Sequence, residues 1–499
     1  MALGDKTSAP AVKIRWRGGA KMETMQTATT NVPSSLDSRT IFRSAPARPS
    51  ARATVRGAVP EWLCGDLVRT APACFALGGW RAAHWFDGLG LIYAFRLDGE
   101  VRFEQRVLES EARRRIEGGF DDTPHFGTPM KRAFFDRLFH PVPRPNDNTN
   151  VHVLPLGGEL VAMTETTVQH VIDRASLRVS GQVSYADAHG DLFMLAHPHA
   201  DFARGAVVNV ATELGARSGL VVYEHPFASR SRTIVGRVRS SEVPYLHSFG
   251  LTERHAVLLG GPYTVTSWRL LWSDRGYVDH FRWQPEHGTT IDLVDRGSGE
   301  VRRHRAPAMF VFHTINTFER GDETVHDVLA YDDAAIVERL SVDRLGDAGL
   351  PDLRPRPTRL VMRPGVEDAL VEPLADFGFE FPGVDYRRFA GRDYRVAFGA
   401  ENGPEKDGYV SSIVRLDVAT GAKKALREPG FVFGEPVFVG RPGGSGEGDG
   451  VLLSVASHAS EDRAALAIVD AASLDVVAWC EVPLPIPLGF HGSFVRAAR

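Results

Sequence analysis

Four histidines of this 499-residue chain share one kind of setting. His247 sits in YLHSFGLT, between an apolar lead-in and a Gly-containing exit. His197 lies in MLAHPHADF, His313 in FVFHTINTFE and His491 in PLGFHGSF. Each follows an apolar or aromatic run and falls near the end of a predicted buried strand. One half-buried histidine is an ordinary core residue. Four of them, with glutamates in matching apolar contexts, point instead to a metal centre. The three cysteines, Cys64, Cys74 and Cys480, have neither the number for a disulfide framework nor zinc-site spacing. They read as reduced thiols of a cytosolic protein.

The elements that must carry these histidines are short strands. Gly 49 and Pro 31 exceed the ordinary share of about 12%, which favours many turns. LIYAFRL and VRFEQRVL read as a hairpin joined by Asp98-Gly99-Glu100, and VHVLPLGGELVAMTET as strand, Gly-Gly turn, strand. HAVLLGG, GYVSSIVRLDVATGAKKALRE and VLLSVASH followed by AALAIVDAASLDVVAWCEVPL continue the pattern. Such spacing predicts an all-β sandwich, barrel or propeller, and over residues 58–499 a propeller is the natural single domain. Helical pattern is scarce; DDAAIVERLSVDRL, 332–345, reads as a loop insertion.

Residues 1–57 differ, with ten Lys/Arg against three Asp/Glu and no hydrophobic period. They read as a basic, disordered N-terminal extension. The net charge of −4 gives no reason to expect nucleic acid, and no apolar run reaches the ~18 residues of a spanning helix. Two segments, 130–143 and 267–283, mix aromatics with basic residues, as interfacial segments do. Packed inward, they would instead cap the domain.

Taken in order, PEWLCGDLVRTAP, HWFDGLGLIYAF, NTNVHVLPLGGELVAMTET, AHPH, YLHSFGLT, FHTINTFE, FEFP, GEPVFV, DGVLLSV and GFHGSF make the chain resemble the carotenoid cleavage oxygenase family. The resemblance runs from about Val59 onward. It implies a seven-bladed β-propeller with a helical and loop dome over one face. It also implies an Fe(II) ion on the axis, held by Nε2 of His197, His247, His313 and His491. Glu165 is implied behind His247, Glu380 behind His313 and Glu435 behind His491; His197 has no glutamate in the family pattern. Sequence separations of 50, 66 and 178 between successive histidines rule out a local metal loop and fit one ligand per blade. Thr149 matches a threonine near the open metal position, with a substrate- or O2-positioning role. His199 alternates away from His197 in an extended stretch and is left out of the metal shell. His84 and Asp87 read as structural.

The implied activity is O2-dependent cleavage of a C=C bond of a carotenoid or apocarotenoid to aldehyde or ketone products. The implied partners are a hydrophobic polyene and O2, with peripheral membrane contact through the two aromatic-basic segments. Stilbene cleavage is one alternative; Tyr93 and Lys131 lie in the region where relatives hold a phenol, without either being assigned that role. Redox-neutral, retinoid isomerase-like chemistry on the same iron is another. A non-enzymatic binding propeller would be favoured by loss of a ligand histidine, and none is lost.

Overall fold

Strands that read as continuous apolar runs become the middle strands of packed sheets. A computed structural model describes residues 50–497, apart from 133–137, 140–143, 191, 216, 271–272, 346–353 and 403–409. Among the described residues are seven antiparallel sheets of four or more strands, each built mainly from strands consecutive in the chain. The expected hairpins are present: Leu89–Leu97 pairs with Val101–Val107 around Gly99, and His152–Leu156 with Glu159–Met163 around Gly157 and Gly158. All three turn glycines have positive φ, +93°, +58° and +89°, a region that costs any residue with a Cβ. The 332–345 stretch holds two short helices, Ala335–Arg339 and Val342–Leu345.

Each sheet packs on the next, and the last packs on the first. The first and second sheets share a core of Val68, Ile92, Val153 and Ala162. The second and third meet at Met163 and Ala196, the third and fourth at Val222, Val238 and Val294, and the fourth and fifth at Leu259, Ile291 and Leu360. The fifth and sixth share Phe318, Val361 and Leu416, and the sixth and seventh Phe398, Leu452 and Ala465. Leu91, Phe95, Leu453 and Leu466 return the seventh to the first. A strand between two such cores is buried on both faces, so Gly450–His458 is buried along its whole length. That is why period-two alternation is weak in the sequence.

The extension bounded at residue 57 needs correction at its end. Ser50–Arg52 pairs with Val101–Val107 in the first sheet, and Thr54–Gly57 pairs with Val476–Val482 in the seventh. Backbone pairing, which needs no apolar period, orders this polar stretch; residues 1–49 lie outside the described residues. The first sheet is completed from the other end of the chain by Gly492–Arg496 on Gly65–Cys74.

Of the two aromatic-basic segments, much of 130–143 lies outside the described residues, Phe134, Phe135 and Arg137 included; Leu138 and Phe139 are exposed. In 267–283, Trp268 is 70% exposed whereas Val278 and Phe281 are buried in the core. The segment therefore divides between the outward and inward alternatives. No helix among the described residues is long and apolar enough to cross a membrane.

Closure of the first sheet is sterically tight at Gly492. A Cβ there would meet the Val68 carbonyl oxygen at 2.3 Å and the Arg69 Cα at 2.9 Å. Gly492→Ala is therefore expected to cost about 1–3 kcal/mol, read as a lower urea midpoint. An unchanged midpoint would show that the closing strand is not needed for stability.

Candidate metal centre

The four histidines come from four different sheets and the three glutamates from the other three. Most of these residues sit where a first strand is broken. The first strand of the third sheet is split into Phe193–Met194 and His199–Asp201, and His197 lies in the gap. In the seventh, Glu435 lies between Phe431–Phe433 and Val437–Gly440. His247 precedes Gly250–Leu251, and His491 immediately precedes Gly492–Arg496. In Phe310–Arg320 the register shifts between Val311 and Thr314, around His313. In Glu380–Gly383 it shifts between Glu380 and Gly383, where Phe381 has φ +53°. An unbroken strand aims its side chains at the neighbouring sheets; a bulge or gap re-aims one of them. Glu165 alone follows a second strand, Glu159–Met163.

These breaks bring one nitrogen of each histidine within 4.8 Å of the other three. His197 Nε2 lies 3.1 Å from His247 Nε2, and His313 Nε2 lies 3.1 Å from His491 Nε2. The opposite ring nitrogens are committed. His247 Nδ1 donates to Glu165 Oε1, His313 Nδ1 to Glu380 Oε2 at 2.7 Å, and His491 Nδ1 to Glu435 Oε1 at 2.8 Å. With the proton on Nδ1, Nε2 of each of these rings is a bare lone pair. His313 and His491 thus point two acceptors at each other, which no hydrogen bond reconciles. A shared cation does: ligands about 2.1 Å from a metal and at right angles are about 3.0 Å apart. The residues therefore fit a metal, and four imidazoles with no oxygen donor suit iron, zinc, copper or nickel rather than calcium or magnesium.

Each glutamate is itself held. Tyr245 Oη donates to Glu165 Oε2 at 3.0 Å, and Tyr331 Oη donates to Glu380 Oε1. Arg69, fully buried, donates to Glu435 Oε2 at 3.1 Å and to the Glu435 carbonyl at 3.2 Å. Burial pushes His491 down to about 3 and, with the neighbouring imidazoles, holds His197 well below its ordinary value. Both rings are therefore neutral at pH 7, the form that ligates. Burial alone would raise the Glu435 carboxyl, but the His491 ring and the Arg69 guanidinium bring it down to about 2.

The centre opens into a cavity walled by aromatic side chains, among them Phe86, Phe126, Tyr245, Phe312 and Phe490, with His247, His313 and His491 on its surface. Asp87, buried in the cavity wall, accepts from the backbone N–H groups of Phe126 and Gly127 and from Thr128 Oγ1. His84 bonds Phe86 N and Val337 O and so is structural. His199 is also satisfied, between Phe249 O and Tyr386 Oη. Thr149 is fully buried with Oγ1 3.0 Å from His170 Nδ1; Asn148 and Asn150 line the cavity and Thr149 does not. Tyr93 is buried in the first sheet and Lys131 is exposed, and neither lines the cavity.

One neighbour of the centre escaped the sequence reading. His152 lies with its ring centroid 5.4 Å from those of both His197 and His491. Its Nδ1 is 2.9 Å from the carbonyl oxygen of Ala196, the residue before His197. It ties down the loop of the histidine that has no glutamate. Its setting at a strand start, VHVLPL, was the only available signal.

His491→Ala should abolish metal retention, and Glu380→Ala should weaken metal affinity by about 10–100-fold, both read by metal content and titration. His152→Phe should also weaken affinity, while His152→Asn, which keeps an N–H donor, should restore most of it. The metal-stripped protein should lose stability on acidification. An unfolded histidine takes its proton near 6.5 but folded His491 only near 3, so the unfolded chain binds more protons between those values. Urea midpoints should fall from pH 6.5 toward pH 3, with a further loss from Glu435 between about 4.5 and about 2.

Comparison with known proteins places the chain in a family. The family model described as retinal pigment epithelial membrane protein matches residues 42–496. The chain is 28% identical to a mitochondrial carotenoid-cleaving dioxygenase of Mustela putorius furo, covering 89% of this chain and 93% of that one. It is 28% identical to the β,β-carotene 15,15'-dioxygenase of Rattus norvegicus over 90% of this chain and 89% of that one. With the chloroplastic carotenoid cleavage dioxygenase 8 homolog A of Oryza sativa subsp. japonica it shares 31% identity, over 89% and 85%. In fold it is similar to the Synechocystis apocarotenoid oxygenase, with a TM-score of 0.82 at 24% identity over 92% of this chain and 98% of that one. The chain belongs to the family of the retinal pigment epithelial membrane protein and the carotenoid-cleaving dioxygenases.

Proposed function

We propose that this protein is a non-haem Fe(II) dioxygenase that cleaves a C=C bond of a carotenoid or apocarotenoid with O2, giving aldehyde or ketone products. The observation that carries the reading is the convergence of four imidazoles within 4.8 Å beside an aromatic cavity. The cyclic packing of the seven sheets supports a seven-bladed propeller with the histidines on its axis. Trp85, Phe86, Ile336 and Leu340, from short helices and their flanks, supply the dome over the cavity.

His197, His247, His313 and His491 would hold a ferrous ion, which when bound would supply the activation of O2. The protein does the rest. The three glutamates hold the imidazole protons on Nδ1, so the ring nitrogens facing the ion stay basic. The aromatic walls exclude water and align an extended polyene, whose placement selects the double bond that reacts. Exposed Phe139, Leu138 and Trp268 support a peripheral membrane surface from which such a substrate is drawn.

The family match also favours a second reading, redox-neutral isomerisation, with the same ion acting as a Lewis acid. Stilbene cleavage is less well supported, since Tyr93 and Lys131 do not reach the cavity. Iron-loaded protein given β-carotene, apocarotenals and a resveratrol-type stilbene should consume one O2 per polyene cleaved and release shorter carbonyl products. Turnover of a retinyl ester without O2 uptake would favour the isomerase; no product from any polyene would reject the oxygenase.

A further inference from the structure

The cavity reaches Phe193 and Thr212, which are paired across the strands Phe193–Met194 and Ala206–Glu213. The same two residues line a second, shallower groove whose other walls carry Arg217, Arg237, Arg239 and Glu213. The groove and the cavity are therefore adjoining spaces. Arg237 and Arg239 are two apart on Thr233–Arg239, so they share one face of the strand. All three arginines are exposed. The Glu213 carboxylate is divided between them, 2.5 Å from Arg239 Nη1 and 3.5 Å from Arg237 Nε. Arg239 also donates to the backbone carbonyl of Arg217. The Arg217 guanidinium has no ion-pair partner among the described residues. Three guanidiniums against one carboxylate leave the groove with two positive charges in excess, beside a cavity whose walls are largely aromatic.

We infer that this groove receives the anionic end of the substrate, and that the preferred apocarotenoid carries a terminal carboxylate. The inference rests on the oxygenase reading in taking the cavity as the polyene site. A carboxylate drawn into aromatic walls would lose its water without gaining a partner. In the groove it keeps solvent on one side and meets guanidinium forks that match its two oxygens. The polyene is rigid. Pinning one end at Arg217 and Arg237 presents a fixed double bond to the histidines, so the groove would act as a ruler for the cleavage position. A lipid phosphate offers the same anionic oxygens, but it would leave the position of the polyene unspecified.

The test compares an apocarotenal with the carboxylic acid of the same chain length, using the iron-loaded wild type and the Arg217→Ala/Arg237→Ala double variant. The acid should show the lower KM in the wild type, and its KM should rise with salt. In the double variant its KM should rise about 10-fold or more and its products should spread over several cleavage positions, with the aldehyde's KM within about twofold of wild type. Equal KM for acid and aldehyde in the wild type, or an equal loss of both in the variant, would overturn the inference. So would a variant that sediments less with phosphatidylserine vesicles while its acid-to-aldehyde ratio is unchanged, since the groove would then hold lipid phosphate. If neither compound is cleaved by either protein, it is the oxygenase reading that fails. Quenching of tryptophan fluorescence by the acid then decides the groove separately: arginine-dependent binding supports it, and binding indifferent to the two arginines rejects it.

Discussion

Lone pairs of imidazole nitrogen repel one another at 3.1 Å, and this protein holds the Nε2 atoms of His313 and His491 at that distance. Everything around the centre serves to keep them there. A protonated ring would turn its charge toward the cluster, so the rings must stay neutral, and burial keeps His197 and His491 so. A free ring could rotate its lone pair away, so Glu165, Glu380 and Glu435 fix three of them through Nδ1. The buried carboxylates in turn need donors of their own, and Tyr245, Tyr331 and Arg69 supply them. Each imidazole of these three is thus backed by a carboxylate and each carboxylate by a further donor.

The breaks that aim the side chains forgo ladder hydrogen bonds, and site side chains recover some of them. Gly492 N donates to Glu435 Oε2 at 3.1 Å, and Phe381 N to Glu380 Oε2 at 3.3 Å. Thr314 N, beside the bulge at His313, donates to Ser248 Oγ. Phe381 accepts a left-handed backbone, at a cost of about 1–2 kcal/mol, with its ring packed 5.4 Å from that of His491. The ring of seven sheets bears these local costs because every sheet is wedged between two apolar neighbours.

The same architecture explains how chemistry could vary on it. The histidines and glutamates are set by breaks in, and by the ends of, strands of seven mutually packed sheets. The cavity walls at Phe126 and the groove at Arg217 belong to connections between strands, where changes of side chain leave the inter-sheet cores intact. Substrate choice can therefore shift without disturbing the metal centre.

The histidines and the hairpin turns were legible in the chain because each depends on local chemistry. The turn glycines Gly99, Gly157 and Gly158 take up positive φ in short loops between adjacent strands, and a histidine after an apolar run at a strand end is visible at any distance from its partners. The pairing of Glu165 with His247 came from resemblance to a family, since a separation of 82 residues carries no local signal. Only the folded structure decided that Ser50–Gly57 completes two sheets, because edge pairing uses the backbone and leaves no mark on side-chain pattern. It alone turned the Thr149 hydroxyl to His170, set His152 against the Ala196 carbonyl, and brought the arginines of one sheet into a groove adjoining the cavity. These are contacts between residues remote in sequence, and they exist only once the seven sheets have closed on one another.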